Sequence, residues 1–212
     1  MKGILVGSGN YFSKERFFDE IKDSDILIAI DGGMEWFSKL NINPNILIGD
    51  LDSISKKTLE ELKSNKSLII KKHSKEKDST DMELGIDYLI SNNCKEIIIF
   101  GGTGTRLDHT LANIFLLDKL NKKNIKGKII DKNNTILIID NNYEMKKELG
   151  KYISIIPITE LGSTISLEGF KYDLNNYSLK FGSTMGVSNE IVDEKAYINV
   201  VKGKVVLFIS SD

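Results

Sequence analysis

Short, fully apolar runs alternate with longer segments of helical period over roughly the first 120 residues. The runs are Ile4–Val6, Ile26–Ile30, Asn45–Ile48, Leu68–Ile70 and Ile97–Phe100. Between them, Phe17–Lys22, Glu35–Leu40, Ser55–Lys63, Thr80–Ile90 and His109–Leu120 read as helices, the last with Leu111, Ile114, Phe115 and Leu117 toward a core. Apolar strands with helices between them predict a parallel sheet covered on both faces. From about Thr135 the helical period disappears. Short β-branched segments follow: Ile136–Ile139, Tyr152–Ile156, Thr164–Leu167, Ser178–Phe181 and Ile198–Val201. The last leads through Lys202-Gly203 into Val205–Ile209, which predicts a hairpin closed at glycine. Repeated short strands with turn signals suggest a small sandwich or barrel. The boundary falls in the Lys/Asn-rich stretch from Asn121 to Asn134.

Composition narrows the class. The 212 residues hold 41% hydrophobic and 28% charged side chains, enough for a real core and a solvated surface. Net charge is −1 and the lysines are scattered, so neither nucleic acid nor an anionic membrane is implied as a partner. The single cysteine, Cys94, cannot form an internal disulfide, and a reducing, cytoplasmic location is expected. The opening apolar run is too short for a signal peptide, and no stretch reaches the length of a membrane span.

Four clusters then change the picture, each just after an apolar run: Asp31-Gly32-Gly33, Gly49-Asp50-Leu51-Asp52-Ser53, Lys77-Asp78-Ser79-Thr80-Asp81, and Gly101 to His109. Parallel strands would bring all four to the carboxyl edge of one sheet, where open α/β sheets bind ligands. Asp50 and Asp52, two apart in an extended backbone, would lean to one side and could hold Mg²⁺. An ordinary turn with Ser53 or Ser55 capping the next helix explains them equally well. Thr80-x-x-Glu83 is a capping-box pattern, and Asp81 suits a helix first turn whatever its function. The glycines at 101, 102 and 104 would admit a polyphosphate close to the backbone, and Arg106 offers a planar fork to its oxygens. Asp108 could instead cap the following helix. No Gly-Lys-Ser/Thr ending is present, so a P-loop is excluded. Gly7-Ser8-Gly9 is a fragment of a dinucleotide fingerprint and more often just a tight turn, while His73 reads as a surface residue, Trp36 as a core or half-buried anchor and Cys94 as an apolar filler.

Taken in order, the Asp31 cluster, Gly49–Ser53, Lys77–Asp81, Gly-Gly-Thr-Gly-Thr-Arg-Leu-Asp-His-Thr-Leu-Ala-Asn at 101–113 and Gly-Val-Ser-Asn-Glu at 186–190 resemble the thiamine pyrophosphokinase family. The resemblance spans nearly the whole chain. Leu51 stands where Phe is common in that family, and Thr105 where Gly is common. The resemblance implies a doubly wound, mostly parallel α/β nucleotide-binding domain at 1–125 and a C-terminal β-sandwich for thiamine at 135–212. It implies transfer of diphosphate from ATP to thiamine, giving thiamine diphosphate and AMP, with Mg²⁺ as cofactor and a homodimer with active sites at its interface. Asp50, Asp52 and Asp81 would then be catalytic and metal-binding. ATP would meet Asp31, Gly32, Gly33, Asp78, Thr80, Gly102, Thr103, Arg106, Asp108 and His109, and thiamine would meet Ser188 and Asn189.

Two alternatives stand beside it. Ile-Leu-Ile-Gly-Asp-Leu-Asp-Ser imitates the nucleophile motif of haloacid-dehalogenase-type phosphohydrolases, although Ser53 replaces the usual Thr or Val and the later acids of that family lack counterparts. A sensor that binds nucleotide or vitamin without turnover is the other, and it has little need of so many carboxylates beside phosphates.

Overall fold

The computed structural model describes residues 1–10, 12–52, 54–55, 58, 67–72 and 78–212. Most of the predicted helix at Ser55–Lys63, together with Ser53, His73 and Lys77, lies outside the described residues. The chain divides into two compact units, Met1–Lys132 and Asn133–Asp212.

In the first unit the strands are β1 (Lys2–Val6), β2 (Ile26–Ile30), β3 (Ile46–Gly49), β4 (Ile69–Lys72), β5 (Glu96–Phe100) and β6 (Lys126–Ile130). The helices are α1 (Lys14–Ile21), α2 (Met34–Leu40), α3 (Asp81–Ser91) and α4 (Leu107–Asn121). All six strands run parallel in the order β4-β3-β2-β1-β5-β6. The order reverses between β1 and β5, which makes a switch point at their carboxyl ends.

Side-chain alternation assigns the two faces. Ile4 and Val6 of β1 share a core with Phe17 of α1 and Phe37 of α2. Gly3 lies against Leu89 and Leu5 against Gly85, both on α3. On β6, Gly127 makes room for Leu117 and Leu120 of α4. The sheet is therefore wound on both sides, as predicted. An aromatic cluster closes the α1/α2 face: the Phe12 ring lies 5.3 Å from Phe17, 4.8 Å from Trp36 and 4.8 Å from Phe100.

Strand β6 lies inside the stretch that looked like a linker. It was hidden because only Ile129 and Ile130 of it are buried apolar residues. One face of α4 also departs from expectation. Ile114, Leu117 and Leu120 are buried, whereas Leu111 and Phe115 are half exposed and point away from the core.

The second unit is all β: β7 (Asn134–Ile139), β8 (Asn142–Lys146), β9 (Tyr152–Pro157), β10 (Ser163–Glu168), β11 (Leu174–Leu179), β12 (Lys195–Lys202) and β13 (Val205–Ser210). One antiparallel sheet has the order β7-β13-β9 and the other β11-β10-β12-β8. Ile139, Ile153, Ile155, Val205 and Leu207 of the first meet Ile165, Leu179, Ala196, Ile198 and Val200 of the second in one core. This is a sandwich.

The predicted hairpin at Gly203 does not form. β12 pairs with β10 and β8, while β13 pairs with β7 and β9, so the short turn carries the chain between sheets. Gly203, at φ +86°, allows that corner. Alternating burial is the same for a hairpin and for a crossing into the facing sheet, so pattern alone could not separate them. The segment predicted at Ser178–Phe181 ends earlier: Leu179 is the last paired residue, opposite Ser163, and Phe181 is exposed. The edge strand β8 buries only Met145 and gave no apolar pattern. Among the described residues no helix is long and apolar enough to cross a membrane.

Phe12 is 1% exposed and joins α1, α2 and β5 in one contact set. Phe12→Ala is expected to cost about 3–5 kcal/mol of unfolding free energy in urea titration. A loss below about 1 kcal/mol would show that the cluster collapses to fill the space.

Candidate active site

Two glycine turns meet at the switch point. After β1, Gly7 donates its amide to Phe100 O at 2.8 Å, Gly9 to Gly101 O at 3.0 Å, and Asn10 to Thr103 O at 2.6 Å. The approach tolerates no side chain. A Cβ on Gly9 would stand 2.0 Å from Thr103 O, and one on Gly101, at φ +63°, 2.3 Å from Gly7 O. Gly7-Ser8-Gly9 is thus part of the site rather than a bland turn, and the Gly-x-Gly directly after the first strand was the available signal.

A cavity of about 820 Å³ opens over these turns. That is ample for a nucleotide-sized ligand. Gly101 to Arg106 form one wall, with His109, Thr110 and Asn113 of α4. Asp31, Asp50, Asp78, Thr80 and Asp81 form the other, with Ser79 and Met82. Of the residues predicted to bind ATP or metal, the structure brings together Asp31, Asp50, Asp78, Thr80, Asp81, Gly102, Thr103, Arg106 and His109. Gly32, Gly33, Asp52 and Asp108 do not line the cavity. Gly33 has a packing reason of its own, since a Cβ there would lie 1.9 Å from Val6 O.

The Asp50–Asp52 segment is not the extended strand end that was expected. Leu51 adopts φ +69°, and Asp50 Oδ1 accepts the Asp52 amide at 2.9 Å. The carboxylate of Asp50 thereby closes a tight turn, and Asp52 sits exposed beside it. Gly49, at φ +149°, makes room for a neighbour: a Cβ there would fall 1.7 Å from Asp31 Oδ1. That same Oδ1 accepts the Asp50 amide at 3.0 Å.

Charge is crowded on this wall. Burial, then the charges of Asp81 and Asp50, push the Asp31 carboxyl up to about 6 despite the Asp50 amide. On the opposite wall Arg106 pairs with Asp108, Nη2 to Oδ2 at 2.6 Å and Nε to Oδ1 at 3.2 Å. That bond chiefly holds Asp108 down to about 2. Both are well exposed. Asp108 therefore sits in the first turn of α4 as the partner of Arg106, not as the cap; the helix begins at Leu107 with Arg106 at its N-cap position.

Thr80 caps α3, its Oγ1 accepting the Glu83 amide at 3.2 Å. The box is only half made, because Glu83 turns its carboxylate to Lys119 of α4 at 3.0 Å. In the second unit Ser188 is exposed at φ +60°. Asn189 is buried, its Nδ2 donating to Tyr172 O at 2.9 Å and its Oδ1 accepting the Tyr172 amide at 3.1 Å. Within the chain its side chain ties the Phe170–Asp173 turn to the segment that carries Ser188.

An open parallel sheet with a carboxylate wall and a glycine-amide wall at its switch point defines an α/β enzyme that handles small anionic ligands at its strand ends. Family comparisons name the particular kind. Residues 17–129 match the thiamin pyrophosphokinase catalytic domain, and residues 138–205 match the thiamin pyrophosphokinase vitamin B1 binding domain. Thiamine pyrophosphokinase of Bacillus subtilis is 37% identical over 188 residues, 87% of each chain. A crystal structure of that enzyme superposes with a TM-score of 0.91 at 33% identity and full coverage of both chains. A second, thiamin pyrophosphokinase from Geobacillus thermodenitrificans, gives 0.88 at 28% identity, covering 100% of this chain and 98% of that one. The chain belongs to the thiamine pyrophosphokinase family, which displaces the phosphohydrolase alternative.

Because the Asp31 carboxyl titrates near 6 when folded and near 3.8 in an unperturbed chain, the folded state holds its proton more tightly. Ionising it therefore removes stability as pH rises from about 4 to above 6. Asp31→Asn is expected to raise the melting temperature of the ligand-free protein at pH 8. The gain should vanish near pH 2.5, where both states of the wild type are protonated. An equal change at both pH values would remove the electrostatic cause.

Proposed function

We propose that this cavity carries out the reaction for which the family is named, transfer of diphosphate from ATP to thiamine, giving thiamine diphosphate and AMP. One observation carries the assignment to this site: four aspartates face a glycine loop and an arginine across a single cavity. Diphosphoryl transfer asks for positioning and charge neutralisation more than for covalent participation. The loop supplies backbone amides. Arg106, released from Asp108, supplies a planar fork for phosphate oxygens.

The carboxylate wall fits Mg²⁺. Burial, then the charges of Asp81 and Asp50, raise the Asp31 carboxyl to about 6, and a hard cation would relieve the repulsive part of that shift. Among the described residues no three His, Cys, Asp or Glu side chains form a ready cage. Mg²⁺ does not require one, since it keeps waters and phosphate oxygens and takes one or two carboxylates. Asp50, Asp81 and the adjacent Asp52 are the residues we assign to it. When bound, the ion would neutralise charge on the phosphates undergoing transfer. Asp81 or Asp52 would accept the proton of the attacking hydroxyl.

The vitamin is assigned to the sandwich, with Ser188 as its exposed contact and Asn189 as the residue that holds Ser188 in place. A homodimer closing over the cavity is the assembly we infer. The outward residues of α4 support it: Leu107, Leu111 and Phe115, spaced by four, are 77%, 52% and 53% exposed and begin beside Arg106. A second copy would cover that stripe. The cytoplasm is the inferred compartment, in keeping with Cys94 as a lone, buried thiol.

Mass spectrometry of a reaction with ATP, Mg²⁺ and thiamine should show thiamine diphosphate matched by AMP; ADP with free phosphate would defeat the reading. Asp81→Asn and Asp52→Asn are each expected to lower turnover by about a hundredfold or more while the fold persists. Each should also shrink the rise in melting temperature that Mg²⁺ gives the wild type. An undiminished Mg²⁺ effect in either variant would remove that residue from the ligand set. Leu111→Glu should convert a dimer near twice 23.8 kDa into monomer in analytical ultracentrifugation. A variant that stays dimeric would place the interface elsewhere.

A further inference from the structure

Asp131 follows the last residue of β6 and is 4% exposed. It does not line the cavity, and neither the reaction nor the sequence motifs give it a role. Its Oδ2 accepts the hydroxyl of Thr103 at 2.8 Å. Thr103 is itself 7% exposed and sits at the middle of the glycine loop. Burying a carboxyl group is costly unless it is hydrogen-bonded, and the Thr103 hydroxyl is one of the bonds that meets this need.

The rest of the loop shows what that bond secures. The carbonyls of Gly101, Gly102 and Thr103 are all taken, by Gly9 N at 3.0 Å, Asn113 Nδ2 at 2.7 Å and Asn10 N at 2.6 Å. Gly104 N is held by Thr110 Oγ1 at 3.0 Å. Among the described residues the amides of Gly102, Thr103 and Thr105 have no acceptor within the protein. A loop with its carbonyls tied back and its amides unmatched is built to meet an anion. Among the described residues from Gly101 to Thr105, Thr103 is the one fixed through its side chain, and Asp131 is what fixes it.

We propose that Asp131 is a positioning residue for the phosphates of ATP, acting through the Thr103 hydroxyl to set the peptide planes from Gly102 to Thr105. Thr103 then serves the nucleotide through its backbone amide, because its hydroxyl hydrogen is committed to Asp131. This inference rests on the cavity being the ATP site.

The test measures the Kd of Mg–ATP by calorimetry, alongside KM for each substrate, in the wild type and in Thr103→Val, Thr103→Ser, Asp131→Asn and Asp131→Leu. Thr103→Val is expected to weaken ATP binding about ten- to a hundredfold and to leave KM for thiamine unchanged. Thr103→Ser restores the hydroxyl and Asp131→Asn keeps an acceptor for it. Both should stay within about threefold of wild type. Asp131→Leu should match Thr103→Val; if it does not fold, the two Thr103 variants decide. The inference is overturned if Thr103→Val binds ATP as the wild type does. It is also overturned if Thr103→Ser is as weak as Thr103→Val, or if the loss falls equally on thiamine. Wild-type protein that binds ATP but makes no thiamine diphosphate would sink the proposed reaction and leave this inference to the variants. Wild-type protein that binds no ATP would sink both.

Discussion

The active edge depends on one close approach, the meeting of the Gly7–Gly9 turn with the Gly101–Thr103 turn. Three backbone hydrogen bonds of 2.6–3.0 Å tie the ends of β1 and β5, and Gly7, Gly9 and Gly101 are each needed because a neighbouring carbonyl stands where the Cβ would go. Parallel strands would otherwise diverge here, since their chains leave toward helices on opposite faces of the sheet. The interlock holds the two turns side by side, so that cavity walls from distant parts of the sequence keep a fixed spacing. Its cost is the backbone freedom lost by several glycines on folding. The return is a rigid anion-facing loop that needs no side chain to make contact.

Electrostatics divides the cavity in a complementary way. One wall gathers carboxylates around Asp31, where burial and then the charges of Asp81 and Asp50 hold it near 6. Across from it the single guanidinium is occupied by Asp108. Without ligand, one wall thus crowds carboxylates together and the other holds a surface ion pair of little net worth. In the proposed reaction, phosphates arriving with a cation would address both at once, the cation offsetting the carboxylates and the phosphate taking the place of Asp108.

Much of this was legible in the residues. Apolar runs of Ile and Leu located β1, β2, β3 and β5 to within a residue or two, because strands buried on both faces leave no other pattern. Strands β6 and β8 were missed for the converse reason: strands with lysine, asparagine or glutamate on one face carry too few apolar positions. At Gly203 the pattern was right and the pairing wrong, since burial records which side chains face the core and not which sheet supplies the strand. The glycine and aspartate clusters located most of the cavity. Which aspartates face it depends on φ at Asp31 and Leu51, both positive, and no spacing argument anticipates a left-handed leucine. Asp131 stayed hidden because its role comes from burial after a strand with few apolar residues, and Gly7-Ser8-Gly9 was underrated because its role comes from a contact across more than ninety residues, Gly9 with Gly101.

Helix α4 shows how one segment can meet several demands. Its N-terminal end presents Arg106 and His109 to the cavity, and Asn113, one turn further on, ties back Gly102. Its inner face, Ile114, Leu117 and Leu120, packs the sheet, and Lys119 joins it to α3 through Glu83 and Asp87. Apolar residues therefore occur on more than one side, which blurs its amphipathic signal and explains why Leu111 and Phe115 looked like core. An exposed apolar stripe on a helix that already fills its core face is not required for folding the unit. Its position beside Arg106 ties whatever covers it to the same helix that shapes the cavity, so assembly and ligand binding would act on one rigid element.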